Sequence, residues 1–265
     1  LLVFGDDQTV FPKLAQPTLY LPGSGMAGGA PAINRFNVRV ETRTSVVTRR
    51  DYNFIKPRLQ LQSRVDGEQR PVLEDYHFPG QFNDRETGRH LAQRALERHV
   101  ADYRQAEGIS DVSALVCGHF LQLTEHPRRD WNDLWLLTAI EHRGRQPQVL
   151  EESVTSDGET FQGYRNTFLA TPWDVFFRPA LGPEKPRMLG YQPAVVTGPH
   201  DAEIHCDEYG RVKVQLAWDR DGELNEHSSC WLRVATGWAH DQYGSVLIPR
   251  VGMEVLVGFI DADAD

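Results

Sequence analysis

Apolar side chains recur at helical spacing in only one long stretch of this chain, residues 83–107. Nearly everywhere else, apolar and polar residues alternate in short runs that Gly and Pro interrupt. A chain of that period can bury its apolar faces only by stacking sheets or closing them into barrels. The expected fold is therefore mainly β with one long helix. In the helical stretch Asn83 is placed to cap, Glu86 completes a capping box, and Leu91, Ala95, Leu96, Val100 and Tyr103 form the apolar stripe. Gly108 is expected to end it. Arg85, Arg89, Arg94 and Arg98 lie among Glu86, Glu97 and Asp102, which is the mixed charge of a solvated face rather than a nucleic-acid patch.

The alternating runs fall into two bodies. In the first, Phe36, Val38 and Val40 share one face, and Leu59, Leu61 and Ser63 begin a second run after Pro57. Strands are expected again over residues 112–123, 134–141 and 160–169, which makes this body a β-barrel or sandwich crossed by the helix. Before it, residues 1–35 read as a strand-like start followed by a connector. Pro22-Gly23-Ser24-Gly25 and Gly28-Gly29-Ala30-Pro31 break any regular element there, and with no Gly-Lys-Ser/Thr after them they are not a phosphate-binding loop. Residues 171–193 hold Pro172, Pro179, Pro183, Pro186 and Pro193 and read as an extended linker, with Trp173, Phe176 and Phe177 docked on a neighbouring surface.

Residues 194–260 form the second body. Tyr209-Gly210 turns into a run in which Val212, Val214, Leu216 and Trp218 face one way and Arg211, Lys213 and Gln215 the other. Asp221-Gly222 marks a hairpin-type connection, and residues 230–234, 245–248 and 253–260 read as further strands. Short strands at this density suit a small closed barrel of the oligonucleotide/oligosaccharide-binding (OB) type.

Charge and cysteine usage narrow the function classes. The chain of 265 residues is net −9, and residues 190–265 alone carry 5 basic and 13 acidic side chains, a net of −8. A surface that neutralises phosphates needs the opposite sign, so although Trp218, Trp231 and Trp238 could stack on bases, Trp218 is expected in the core and no nucleic-acid partner is expected. Cys117, Cys206 and Cys230 are too few and too scattered for a disulfide framework. No apolar run is long enough to span a membrane. The chain opens on Leu1 without a charged segment ahead of an apolar one, so no signal peptide is expected, and its start and stop read as those of a piece of a longer chain.

Catalytic and metal-binding patterns fit poorly. The densest polar group is His200, Asp201, Glu203, His205, Cys206, Asp207 and Glu208, without the spacing of a zinc site. The neighbours Asp207 and Glu208 cannot straddle a glycosidic bond, and no Gly-x-Ser-x-Gly elbow is present. Cys117 has His119 nearby but is expected to be a buried strand cysteine. No catalytic residue, metal or cofactor is expected.

The second body resembles the VgrG family, the spike proteins of the bacterial type VI secretion system. The resemblance rests on Glu203-Ile204-His205-Cys206-Asp207-Glu208-Tyr209-Gly210-Arg211-Val212-Lys213-Val214, then Trp218-Asp219-Arg220, Ser228-Ser229-Cys230-Trp231-Leu232-Arg233-Val234, Ile248-Pro249-Arg250-Val251-Gly252-Met253-Glu254-Val255 and Val257-Gly258-Phe259. Within these motifs the family positions singled out as structural are Asp207, Tyr209, Gly210, Arg211, Val212, Trp218, Asp219, Cys230, Trp231, Arg233, Pro249, Arg250, Gly252 and Glu254. Upstream, Tyr52-Asn53-Phe54, Lys56-Pro57, Tyr164-Arg165-Asn166, Pro172 and Phe177-Arg178-Pro179 resemble the family's hub region. Two turns depart from the family pattern: Asp261-Ala262-Asp263-Ala264-Asp265 stands for Asp-Gly-Asp-Pro-Asp, and Trp238-Ala239-His240 for Trp-Ala-Gly.

The resemblance implies the end of a preceding hub subdomain and a connector over residues 1–35, then a hub β-barrel over 36–170 with its helix near 84–107. It places the linker at 171–193 and an OB-type barrel at the base of the spike over 194–265. It implies a non-enzymatic homotrimer whose hub caps the hexameric Hcp tube and whose small barrels lead into a β-helix needle, a tip protein and effectors. The needle, and any effector domain, would lie outside the 265 residues. Such a protein is assembled in the bacterial cytoplasm and then secreted or injected, touching the target membrane transiently. The alternatives are a tail hub of a phage or phage-like particle and, from another class, an oligonucleotide- or oligosaccharide-binding OB module.

Overall fold

The computed structural model describes residue 5 and residues 7–22, 30–145, 163–240 and 242–263. The connector glycines at 23–29 and the expected strand positions 160–162 lie outside the described residues. The chain divides into two compact units, Leu1–Leu181 and Gly182–Asp265.

In the first unit the strands are β1 (Thr18–Leu19), β2 (Ile33–Val40), β3 (Val46–Asp51), β4 (Leu61–Asp66), β5 (Glu74–His77), β6 (Arg104–Ser110), β7 (Phe120–Thr124), β8 (Leu134–Arg145) and β9 (Gly163–Pro172), with helix α1 (Arg85–Ala101) between β5 and β6. Six of them form one sheet in the order β1-β7-β8-β9-β6-β2. A parallel bridge between Tyr20 and Ile33 joins its two edges and closes it into a barrel. Joined at that end, the sheet wraps around one enclosed interior. Ile33, Phe36, Leu121, Leu123, Trp135, Leu137 and Phe168 fill that interior. Phe36 meets Trp135 edge-on at 5.1 Å between ring centres.

The remaining three strands form a separate sheet, β4-β3-β5, with β3–β4 antiparallel and β3–β5 parallel. Helix α1 lies on one face of it, burying Ala92 and Leu96 against Val47. The helix starts one residue later than expected: Asp84 is the cap, and its carboxylate accepts from the Thr87 backbone N–H at 2.8 Å and from the Thr87 hydroxyl at 2.7 Å. It also ends sooner, at Ala101, so the expected helix to residue 107 is corrected to end there. Residues 104–110 are a barrel strand instead. Their inward positions are Ala106, Gly108 and Ser110, and these small residues give no apolar signal. They leave room for large neighbours: a Cβ on Gly108 would fall 2.1 Å from the Phe168 ring. Gly108 is thus a packing glycine of a strand, not a helix stop. The helix stripe is also turned, since Leu91 is exposed while Gly88 and Ala92 are buried.

Other expectations shift in this unit. Residues 112–119 are turns and irregular segments, and Cys117 stands exposed in one of them, its thiol reaching the Thr138 carbonyl at 3.1 Å; the buried strand cysteine is corrected accordingly. Val40 and Leu59, placed on apolar strand faces, are exposed. Strand β9 runs through Pro172, so the expected linker start at 171 falls inside a strand. Beyond it the aromatic segment is tied down by its backbone: Gln8 donates to the Trp173 carbonyl and accepts from the Phe177 N–H at 3.3 Å. The rings of Trp173 and Phe176 remain about half exposed.

In the second unit the strands are β10 (Tyr191–Thr197), β11 (Lys213–Leu216), β12 (Ala239–His240), β13 (Tyr243–Gly244) and β14 (Glu254–Gly258). One sheet has the order β11-β10-β14, all antiparallel, and β12–β13 form a small hairpin. Ala194, Val196, Val212 and Val214 are its buried core, joined by Leu216, Leu232, Ile248, Val255 and Val257. Two expected strands are not ladder strands. Residues 230–234 contribute a single residue pair, in which Val212 and Leu232 exchange both backbone hydrogen bonds at 2.9 and 2.8 Å. Residues 245–248 are irregular, with Val246 and Leu247 exposed. Where the backbone ladder stops, a side chain continues it: the Val214 N–H donates to the Ser229 hydroxyl at 3.0 Å.

Candidate functional site

The family-motif positions gather in the second unit as a set of side-chain-organised turns. In the first, Asp207 precedes the strand and Gly210 takes a positive φ of 70°. The Asp207 carboxylate accepts from the backbone N–H groups of Tyr209 and Arg211 at 3.0 and 2.9 Å, and its second oxygen pairs with the Arg211 guanidinium. Its carbonyl accepts from Gly210 N–H at 3.0 Å. Partial burial pushes this carboxyl up, but the Arg211 backbone and guanidinium and the Tyr209 N–H outweigh it and hold it below the ordinary Asp value. One short acid thus sets the turn, orients Arg211 over the Tyr209 ring at 5.4 Å, and delivers Val212 into the core.

Asp219 organises the next turn by accepting from the N–H groups of Asp221 and Gly222 at 3.1 and 3.2 Å. Gln215 lies across Gly222: a Cβ there would sit 2.4 Å from the Gln215 amide carbon, so that side chain would have to swing away and give up the Leu224 N–H its oxygen takes at 2.7 Å. The third turn spans Pro249 to Met253. Gly252 has a φ of 87°, and its N–H donates to the Val196 carbonyl at 2.8 Å while Val196 N–H donates to the Met253 carbonyl at 2.9 Å. Arg250 reaches Glu203 at 3.4 Å, and Glu254 opens β14 opposite Val195. Trp231 lies half-buried between the His205 ring at 5.0 Å and the Lys213 ammonium at 5.1 Å. Cys230 and Arg233 are exposed. Trp218 is 55% exposed, which corrects its placement in the core: strand β11 ends at Leu216, so the alternation no longer aims residue 218 inward.

The polar group weighed above as a metal or acid–base site is pulled apart by these turns. His200 pairs with Asp201, Glu203 with Arg250, Asp207 with Arg211, and the His205 ring lies tilted against Trp231. Cys206 bridges Val212 through its backbone. Among the described residues no three His, Cys, Asp or Glu side chains stand where they could share a metal ion. In the first unit a shallow cleft of about 450 Å³ lies over the outside of β6, β8 and β9, with Ile109 and Leu169 in its floor and Arg35, Glu107 and Glu141 around it. No described helix is long and apolar enough to cross a membrane.

Sequence reasoning missed one polar cluster. Arg49 of β3 grips the Asp75 carboxylate of β5 through two hydrogen bonds at 3.1 and 2.9 Å, and His99 of α1 approaches it at 3.2 Å. The Arg49 hydrogen bonds, opposed by burial and aided by His99, hold Asp75 below the ordinary Asp range. The cluster stitches two strands to the helix, a structural task; its residues are 26 and 24 positions apart, so no local pattern announces it.

In this geometry the acids Asp207 and Asp219 define turns. Residues 1–148 match the phage tail baseplate hub (GPD) family model. The chain belongs to that family. Residues 192–265 match the type VI secretion system/phage-baseplate injector OB domain, which gives the second unit its fold class. The type VI secretion system spike proteins VgrG4b and VgrG5 of Pseudomonas aeruginosa are 60% and 58% identical over the whole of this chain. The chain spans 34% and 35% of their lengths, about a third. Among solved structures, the E. coli c3393 protein superposes with a TM-score of 0.53 at 20% identity, covering 98% of this chain and 49% of that one. It is described as a component of the type VI secretion system similar to the bacteriophage T4 tail proteins gp27 and gp5; at that identity it speaks for the fold alone. The likeness to VgrG spike proteins, and the mainly β fold of a hub followed by an OB domain, stand.

Proposed function

We propose that this chain is the hub and spike-base part of a type VI secretion spike: a homotrimer that caps the Hcp tube and, joined to a needle, punctures a target membrane and delivers effectors. The observation that carries the reading is 60% identity to a VgrG spike protein along the chain's whole length. The turn cluster supports it physically, because Asp207, Gly210, Arg211, Asp219, Gly252 and the packed Trp231 hold loops in place. On this reading residues 1–35 end a preceding hub subdomain, 36–170 form the hub barrel, 171–193 link the units and 194–265 form the base barrel. The role is mechanical, without catalysis, cofactor or nucleic acid. The protein is assembled in the cytoplasm and then secreted or injected. A phage-type tail hub is the second reading, favoured by the description of the matching hub family.

The deciding measurement is solution mass by light scattering across a dilution series. Three copies of the 30.1 kDa chain give about 90 kDa, the expected result. A stable dimer rejects the spike reading, and a chain that stays monomeric at every concentration rejects self-assembly of these two units.

A further inference from the structure

In the second unit the pair β10–β14 is apolar on both faces, while β11 puts Lys213 and Gln215 on the outer face beside it. Its inner face carries Ala194, Val196, Val255 and Val257 into the core. On the outer face the residues opposite one another are Tyr191 and Gly258, Pro193 and Leu256, and Val195 and Glu254. An antiparallel sheet with one solvated face alternates apolar-in and polar-out; β11 follows that rule with Lys213 and Gln215, but along β10 and β14 the outer positions are apolar apart from Glu254. Tyr191 is 73% and Leu256 69% exposed. The two chain segments stay together past the strands, through Met188 N–H to the Ala262 carbonyl at 2.7 Å and the bridge between Arg187 and Asp263. There Leu189 and Ile260 stand 78% and 73% exposed. Tyr191, Pro193, Val195 and Leu256 thus make an apolar strip two strands wide along the ladder, and the exposed Leu189 and Ile260 follow it along the chain at one end.

Its exposed side chains add up to an area on the order of several hundred Å², at or beyond the largest patch an ordinary monomer shows, and a large share of the ~800 Å² that each partner gives to a stable interface. Resting on the trimer reading above, we propose that this strip is where the base barrels of three copies meet, each strip touching the same strip of its two neighbours along the threefold axis. The shape favours a second copy over another partner. A narrow straight strip covers itself when three identical ones converge on a common line, whereas a flat partner would leave its flanks wet. The charge of the unit points the same way: at net −8 over residues 190–265 it repels anionic lipid and nucleic acid, so the apolar strip is not a membrane-docking face.

The test is the double variant Leu256→Asp/Ile260→Asp beside a control, Val246→Asp, at an exposed apolar position outside the sheet. Sedimentation velocity across a dilution series reads the mass, and near-ultraviolet circular dichroism with the thermal midpoint reads the fold. The expected result is a wild-type and control trimer, with the double variant at least tenfold weaker in self-association and unchanged in dichroism. A double variant that trimerises like wild type overturns the strip and leaves the trimer reading standing; a monomeric wild type overturns the strip together with self-assembly of these two units. Should the double variant lose its fold, Leu256→Cys decides. Efficient oxidative cross-linking between copies through residue 256 supports the strip, and its absence in a wild-type-like trimer overturns it.

Discussion

Asp75 shows how much one side chain can hold together. It receives two hydrogen bonds from Arg49 and one contact from His99, so removing its charge loosens β3, β5 and α1 at once. Asp75→Asn is expected to cost about 1–2 kcal/mol near pH 7, a figure held down because the carboxylate still meets water over about a third of its surface. The pH dependence has a definite sign. The folded Asp75 titrates below the ordinary value of 3.8, so its stabilisation is complete above that value and disappears as pH falls through the lower folded one. Urea midpoints of wild type and variant should therefore differ at neutral pH and converge in strong acid; a constant gap would mean that the charge is not what holds the cluster. At this scale the sequence was legible where a residue acts on its neighbours. Asp207 before Tyr209-Gly210 was readable as a turn because its partners are two and four positions away. Asp75 was not, because its partners come from elements distant along the chain.

Among the elements, α1 separates pattern from packing. The spacing put Leu91 and Leu96 on one stripe, yet Leu96 is buried against β3 while Leu91 faces solvent. Leu96→Ala is expected to cost about 2–4 kcal/mol and Leu91→Ala less than about 0.5 kcal/mol, read from thermal or urea unfolding. Equal losses would place the helix in a different rotation on its sheet. The helix was found because it is long and periodic, and only its ends moved. Strand β6 was missed because its inward residues are Ala106, Gly108 and Ser110, chosen for the space they leave to Phe168 rather than for hydrophobicity. Strands expected at 230–234 and 245–248 had the composition of strands but found no ladder to join. Composition reports what a segment could pair with; pairing itself is decided by neighbours far along the chain.

For the whole molecule, charge and assembly oppose each other. Each chain is net −9, so bringing copies together collects like charge, which short-range apolar contact must offset on the strip reading. Raising salt from about 0.05 to 0.5 M shortens the screening length from roughly 14 to 4 Å and is expected to tighten self-association several-fold, measured by sedimentation equilibrium. Weaker association at high salt would mean that ion pairs between copies dominate instead. The barrel of the first unit bears on how the proposed spike would carry a load. Strands β8 and β9 face each other over ten paired positions, from Trp135 with Pro172 to Arg145 with Gly163. A pull along the strands loads all of those links in shear, side by side, so tension is divided among them as it is among the threads of a screw. A pull across the strands would meet the links one after another, like the teeth of a zip. The barrel is therefore stiffest along its own strands, and that is the direction in which it can pass on a thrust without coming undone.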